Sequence, residues 1–138
     1  LLLNIGIQML TIIKAVHNKD LLHRDIKPDN FMLDLNETTN KLYLIDFGLA
    51  KRYNYDGKHI SENTNCSLIG TPKYVSLNVH NCCEPSRRDD IESCIYVMIY
   101  MLFGDNFWFN PNMEHLIECK KKLNNYSIQK FVKKQLRN

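Results

Sequence analysis

The sequence predicts a mainly α-helical chain with one small antiparallel β element, on three observations. Polar residues Asn4, Gln8, Thr11, Lys14 and Asn18 recur at the three- and four-residue steps of one helix face. A nearly unbroken apolar run, Ile91 to Phe103, follows a Ser-x-x-Asp start at Ser86–Asp89, the pattern of a capped and buried helix. Two short apolar stretches, Phe31–Leu33 and Leu42–Ile45, flank the polar residues Asn36 to Asn40, as in a strand–turn–strand unit.

In chain order, the first helix should end near Asn18–Asp20 and turn Leu3, Leu10, Ile13 and Val16 toward a core. The strand pair follows. From Lys51 to Tyr74 no period emerges, which reads as a long polar loop, mobile up to Ser67 and adding little to the core. The helix near 88–103, apolar all round, should be the centre of the core. Asn112 is placed to cap a helix over 113–123, and Ser127 a last one to about Arg137.

The 138 residues fit one modest domain, and their 44% hydrophobic content suffices for a core. No apolar run approaches the roughly 18 residues of a membrane span. Leu1-Leu2-Leu3 lacks the basic flank of a signal peptide, and the absence of an initial methionine leads us to expect that the chain begins inside a longer one. The five cysteines are odd in number, two are adjacent, and none forms C-x-x-C; this argues against a disulfide framework and for a reducing, cytoplasmic or nuclear location. His80, Cys82 and Cys83 are too close in sequence for good tetrahedral zinc geometry. The net charge of +3 hides a basic end: every acidic residue lies at or before Glu118, and seven Lys and Arg follow. A solvated helical face explains this better than a partner surface. Tyr126 and Phe131 are too few for a nucleic-acid stacking platform, so nucleic acid is disfavoured.

The chemistry gathers in His23-Arg24-Asp25-Ile26-Lys27-Pro28-Asp29-Asn30. Phosphoryl transfer to an alcohol needs a carboxylate to orient the hydroxyl and take its proton, a cation at the γ-phosphate, and oxygen ligands for magnesium. Asp25, Lys27 and Asn30 supply one of each. Sixteen residues after Asn30 comes Asp46-Phe47-Gly48, directly behind the second strand. An aspartate there is exposed for chelation, and Gly48 should allow a sharp turn.

These motifs are the H-R-D-x-x-x-x-N and D-F-G signatures of protein kinases, and Lys27 resembles the serine/threonine type. Leu49-Ala50-Lys51, Gly70-Thr71-Pro72-Lys73-Tyr74, Ser76-Leu77-Asn78-Val79-His80 and Ser86-Arg87-Arg88-Asp89-Asp90-Ile91-Glu92-Ser93 narrow the resemblance to the casein kinase I family. With its vaccinia-related cousins, that family carries a Ser-x-Asn segment where other kinases have Ala-Pro-Glu. The resemblance implies a kinase C-lobe over residues 1–110, followed by a basic helical tail at 111–138 or a divergent end of the same lobe. It implies a serine/threonine kinase that uses ATP and Mg2+, with Asp25 as proton acceptor, Lys27 on the phosphate, and Asn30 and Asp46 on the metal and nucleotide. Thr71 should touch Asp25 and help recognise the hydroxyl substrate. His23, Arg24, Gly48 and Asp90 should support the site, Asp90 by bracing the catalytic loop.

Lys73 stands where the family has an anion-binding arginine, so the implied partner is an acidic or pre-phosphorylated protein, recognised by a charge without the bidentate fork. Ile95 replaces a small glycine, and Phe107-Trp108 replaces Pro-Trp. None of the five glycines forms the G-x-G-x-x-G cover for ATP phosphates. The 138-residue chain alone is therefore expected to be inactive, the intact protein active; the alternative is a non-catalytic, kinase-like binding protein.

Overall fold

A computed structural model of the chain describes residues 2–34, 40–105 and 112–123. Helix α1, Leu2–His17, buries Gly6, Met9, Ile13 and His17, spaced three or four apart along one stripe. The polar stripe read from the sequence is exposed at Asn4, Thr11, Lys14 and Asn18. The apolar face is rotated from the expected one: Leu3 and Leu10 are exposed, Ile13 is buried and Val16 half-buried. Gln8 is the reason the polar stripe misleads. Its amide donates to the Asn40 carbonyl at 3.0 Å and accepts from Leu42 N at 2.9 Å, so it docks a strand.

After α1 come β1 (Leu21–Leu22), a 3-10 turn (Pro28–Asn30), β2 (Phe31–Leu33) and β3 (Leu42–Leu44). Strands β2 and β3 pair antiparallel with Phe31 opposite Leu44, as the sequence predicts; Ile45 lies just past the strand end. Most of the turn between them lies outside the described residues. The polar stretch after it is not featureless: β4 (Lys51–Arg52) pairs with β1, and β5 (Asn54–Tyr55) with β6 (Lys58–His59). Strands of two residues are too short to show a period. The expectation that this stretch adds little to the core fails at Tyr53, which is buried and donates its hydroxyl to the His17 carbonyl at 2.8 Å.

Helix α2 (Leu77–His80) is a single turn capped by Ser76, whose hydroxyl oxygen accepts from Val79 N. Helix α3, Arg87–Phe103, begins with the expected capping box, in which Ser86 N donates to the Asp89 carboxylate at 2.7 Å. It packs chiefly on α1. Met9 and Ile13 meet Cys94, Tyr96 and Val97 there, and Ile26, Leu42, Tyr74 and Leu123 complete the cluster. Burial is not uniform along α3, because Leu102 in its last turn is 55% exposed. Helix α4, Met113–Lys122, is capped by Asn112 as expected. The helix expected from Ser127, and Phe107-Trp108, lie outside the described residues. Among the described residues no helix is long and apolar enough to cross a membrane.

Candidate active site

The residues between β1 and β2 carry most of the predicted site. Arg24 adopts a left-handed backbone (φ 68°), a strained conformation for a long side chain. Asp90 holds it there: one carboxylate oxygen accepts from Arg24 N at 2.9 Å, and the other from His23 N at 2.9 Å and His17 Nε2 at 2.8 Å. Asp90 is buried, and a buried carboxylate is tolerated when its lone pairs are satisfied in this way. His23, fully buried, bonds the Ile45 carbonyl at 3.1 Å and meets the Phe47 ring edge-on. The turn before β2 is thereby tied to the end of β3.

Asp25, only 8% exposed, is held from several sides. The Thr71 hydroxyl donates to Oδ1 at 2.7 Å, and Lys27 Nζ lies 3.0 Å from Oδ2. Asn30 Nδ2 donates to the Asp25 carbonyl at 2.8 Å. Burial pushes the Asp25 carboxyl up, but the hydrogen bonds from Thr71 and Lys27 and the Lys27 charge outweigh it and leave it below its ordinary value. The bond to Asp25 correspondingly raises the Lys27 ammonium.

Asp46 lies beside this group because Ile45 N donates to the Asn30 carbonyl at 2.9 Å, extending the β2–β3 pairing by one step. The sharp turn is made at Asp46 (φ 60°) rather than at Gly48. Gly48 is needed for proximity: its N donates to Asp46 Oδ1 at 3.1 Å, and a Cβ there would lie 3.0 Å from that oxygen.

Thr71 reaches Asp25 because the segment 70–76 is clamped at both ends. Gly70 (φ 92°) lies so close to the Arg24 carbonyl that a Cβ would approach it to 2.5 Å. At the other end Ser76 donates to Asp89 Oδ1 at 2.6 Å, Asn78 to the same oxygen at 3.3 Å, and Leu77 N to Glu92 at 2.9 Å. The Ser-x-Asn segment thus docks on the first turns of α3. Lys73 pairs with Asp105 and lies 4.0 Å from the centre of the Tyr100 ring, so the expected anion-binding cation is already engaged by a carboxylate of the chain.

Sequence reasoning missed four participants. His17 and Gln8 lie on α1 and act on distant elements. Glu84 pairs with Lys51 at 2.8 Å and accepts from Cys66 at 3.4 Å. Burial raises its carboxyl, but the Lys51 and Cys66 bonds, with the charges of Lys51 and Arg24, bring it below its ordinary value. Arg24 also donates from Nε to the Leu49 carbonyl at 2.6 Å. Lys120 is the fourth: it is wholly buried rather than part of a solvated basic face. A signal existed for it, since Leu116, Lys120 and Leu123 share a stripe of α4. His80, weighed for zinc, instead bonds Lys120 at 3.0 Å.

The protein kinase domain matches residues 2–137, nearly the whole sequence. With Asp25 next to a backbone turn that Asp90 braces from α3, Asp46 at the end of β3, and Thr71 closing on Asp25, and with a family model over nearly its whole length, the chain belongs to the protein kinase domain family.

Proposed function

We propose that the protein is a serine/threonine kinase of the casein kinase I type, transferring the γ-phosphoryl group of ATP to protein hydroxyls. The observation that carries this reading is the Asp25 carboxylate held between the Thr71 hydroxyl and the Lys27 ammonium. Asp25 is the group that orients the substrate alcohol and takes its proton. Its lowered pKa keeps it ionised at neutral pH. Such a carboxylate is a weak base, which suits a loose transition state that is limited by positioning more than by proton removal. Lys27, paired with Asp25 but partly open to solvent, is the cation for the transferred phosphoryl group, and Thr71 fits a site that admits a serine or threonine side chain.

Asn30 and Asp46 suit magnesium because both are oxygen ligands on adjoining chain ends. The Asn30 amide nitrogen is used on the Asp25 carbonyl, which leaves the carboxamide oxygen as the donor atom. Asn30 and Asp46 would hold the ion with ATP, where it would supply charge neutralisation on the phosphates. Lys73 gives the site a preference for acidic or pre-phosphorylated substrate, which its pairing with Asp105 weakens, because a substrate anion has to displace Asp105. Five free cysteines accord with a reducing compartment, cytoplasm or nucleus.

The test is radiolabel transfer from ATP to a casein-like protein by the intact protein and by its Asp25→Asn variant. Transfer to serine and threonine that falls about 10²–10⁴-fold in the variant supports the assignment. No transfer by the intact protein favours a non-catalytic binding role.

A further inference from the structure

Lys120 has no exposed surface, and a lysine is almost never found so unless it is paired. Its ammonium donates to the Pro72 carbonyl at 2.9 Å, to the Val75 carbonyl at 2.6 Å and to His80 Nε2 at 3.0 Å, and lies 4.7 Å from the centre of the Tyr96 ring. The acceptors are 40 to 48 residues away in sequence. Burial pulls the Lys120 ammonium down to about 7, with Glu92 opposing the shift. Burial and the Lys120 charge pull His80 down to about 4, so its imidazole is neutral and offers a lone pair to the amine.

Both carbonyls belong to the clamped segment 70–76. Pro72 follows Thr71, and Tyr74 N and Val75 N both donate back to the Thr71 carbonyl, at 2.8 and 3.1 Å. One side of this tight turn carries the hydroxyl on Asp25, and the other rests on Lys120. If the position only needed filling, an apolar side chain of similar volume would serve as well without desolvating an amine. The donors are what an apolar side chain lacks.

We propose that Lys120 is a positioning residue, which fixes the turn 71–75 from α4 and so holds the Thr71 hydroxyl on the Asp25 carboxylate. The importance of Asp25 rests on the kinase reading above; the mechanical link from Lys120 to Asp25 does not. Removing the amine frees the two carbonyls, the turn loosens, and the Thr71 hydroxyl is no longer held on Asp25. Lys73, between the two carbonyls, shifts with the turn, so α4 also sets where the substrate-facing cation stands.

The test follows the χ1 couplings of Thr71 and amide exchange by NMR in the 138-residue chain, as wild type, Lys120→Met and Thr71→Val. Thr71→Val sets the scale for exchange by deleting the hydrogen bond to Asp25 directly. In Lys120→Met the Thr71 side chain should average between rotamers instead of holding the one that reaches Asp25. Amides of residues 71–76 should exchange about tenfold or more faster, with those of α1 unchanged. If Lys120→Met does not fold, Lys120→Gln carries the test, because its single amide group donates to at most two of the three acceptors; the same changes are expected at smaller amplitude. A Thr71 rotamer held as in wild type, with exchange of 71–76 unchanged in the folded variant, overturns the proposal and leaves Lys120 as packing. Failure of the kinase reading would show instead as no transfer, or as transfer unaffected by Asp25→Asn, with the NMR link intact.

Discussion

Asp25 and Asp90 are both buried carboxylates in adjoining networks, yet substitutions at their networks should have different consequences. The Thr71–Asp25 bond tunes the carboxylate proposed above as the proton acceptor. Thr71→Val should raise the Asp25 pKa and reduce transfer, with a modest stability cost of about 1–2 kcal/mol at neutral pH. Because the folded-state pKa is depressed, this contribution is present above the unfolded value near 4 and is lost as pH falls through the lower folded value. The stability gap between wild type and Thr71→Val, measured by urea unfolding, should therefore narrow below about pH 4. A gap that widens in acid would contradict the assignment of the bond. Asp90, by contrast, holds the backbone. Asp90→Ala strands the His23 and Arg24 N–H groups and the His17 ring, and should cost about 3–5 kcal/mol in the same experiment.

At the scale of elements, two glycines separate backbone necessity from tight packing. A methyl group at Gly70 would meet a carbonyl that cannot move without disturbing Arg24, on a backbone with φ of 92°. Gly70→Ala should cost about 1–3 kcal/mol by thermal unfolding. At Gly6 the obstacle is Met98 Sδ, 2.7 Å from the added carbon, on a flexible side chain that can turn aside. Gly6→Ala also gains about 0.8–1 kcal/mol of helix propensity, so it should be much milder than Gly70→Ala. The capped helices and the β2–β3 pair were legible in the sequence because caps and apolar spacing are local signals. The two-residue strands were not, and neither was the burial of Tyr53, which depends on α1 supplying the His17 carbonyl. In the site, Asp25, Lys27, Asn30 and Asp46 were legible from spacing. His17 and Glu84 were not, and Lys120 showed only as a place on the apolar stripe of α4, because each meets its partner only after distant elements pack.

For the whole molecule, the described surface near the site includes exposed Met32, Leu33, Tyr43, Ile45 and Phe47. No G-x-G-x-x-G covers phosphates in this chain, so ATP bound there would face water on one side, where each charge contact weakens. The 138-residue chain should show negligible transfer, and light scattering should detect concentration-dependent association through the apolar side chains. Transfer by this chain that is lost in Asp25→Asn would show that a phosphate-covering loop is dispensable. The hydroxyls Ser61, Thr64 and Ser67 of the polar stretch could present phosphate to Arg24, but Arg24 already donates to the Leu49 carbonyl and its charge helps lower the Glu84 carboxyl, so no phosphate is required to set it. Unmodified intact protein should accordingly be as active as protein treated with a phosphorylating extract.

The Asp90 contacts span 73, 67 and 66 residues of sequence, which has a kinetic consequence. Loops of that length close late, because their entropy must be overcome before a desolvated carboxylate can meet its donors. The anchor should then be absent from the folding transition state. Asp90→Ala should leave the refolding limb of a chevron nearly unmoved and accelerate unfolding by almost the full equilibrium loss, a φ-value near zero. Asp90 would then act as a latch on the native state, closing after the helices have met and controlling how long the braced catalytic loop persists. A φ-value near one would place the latch in the nucleus instead.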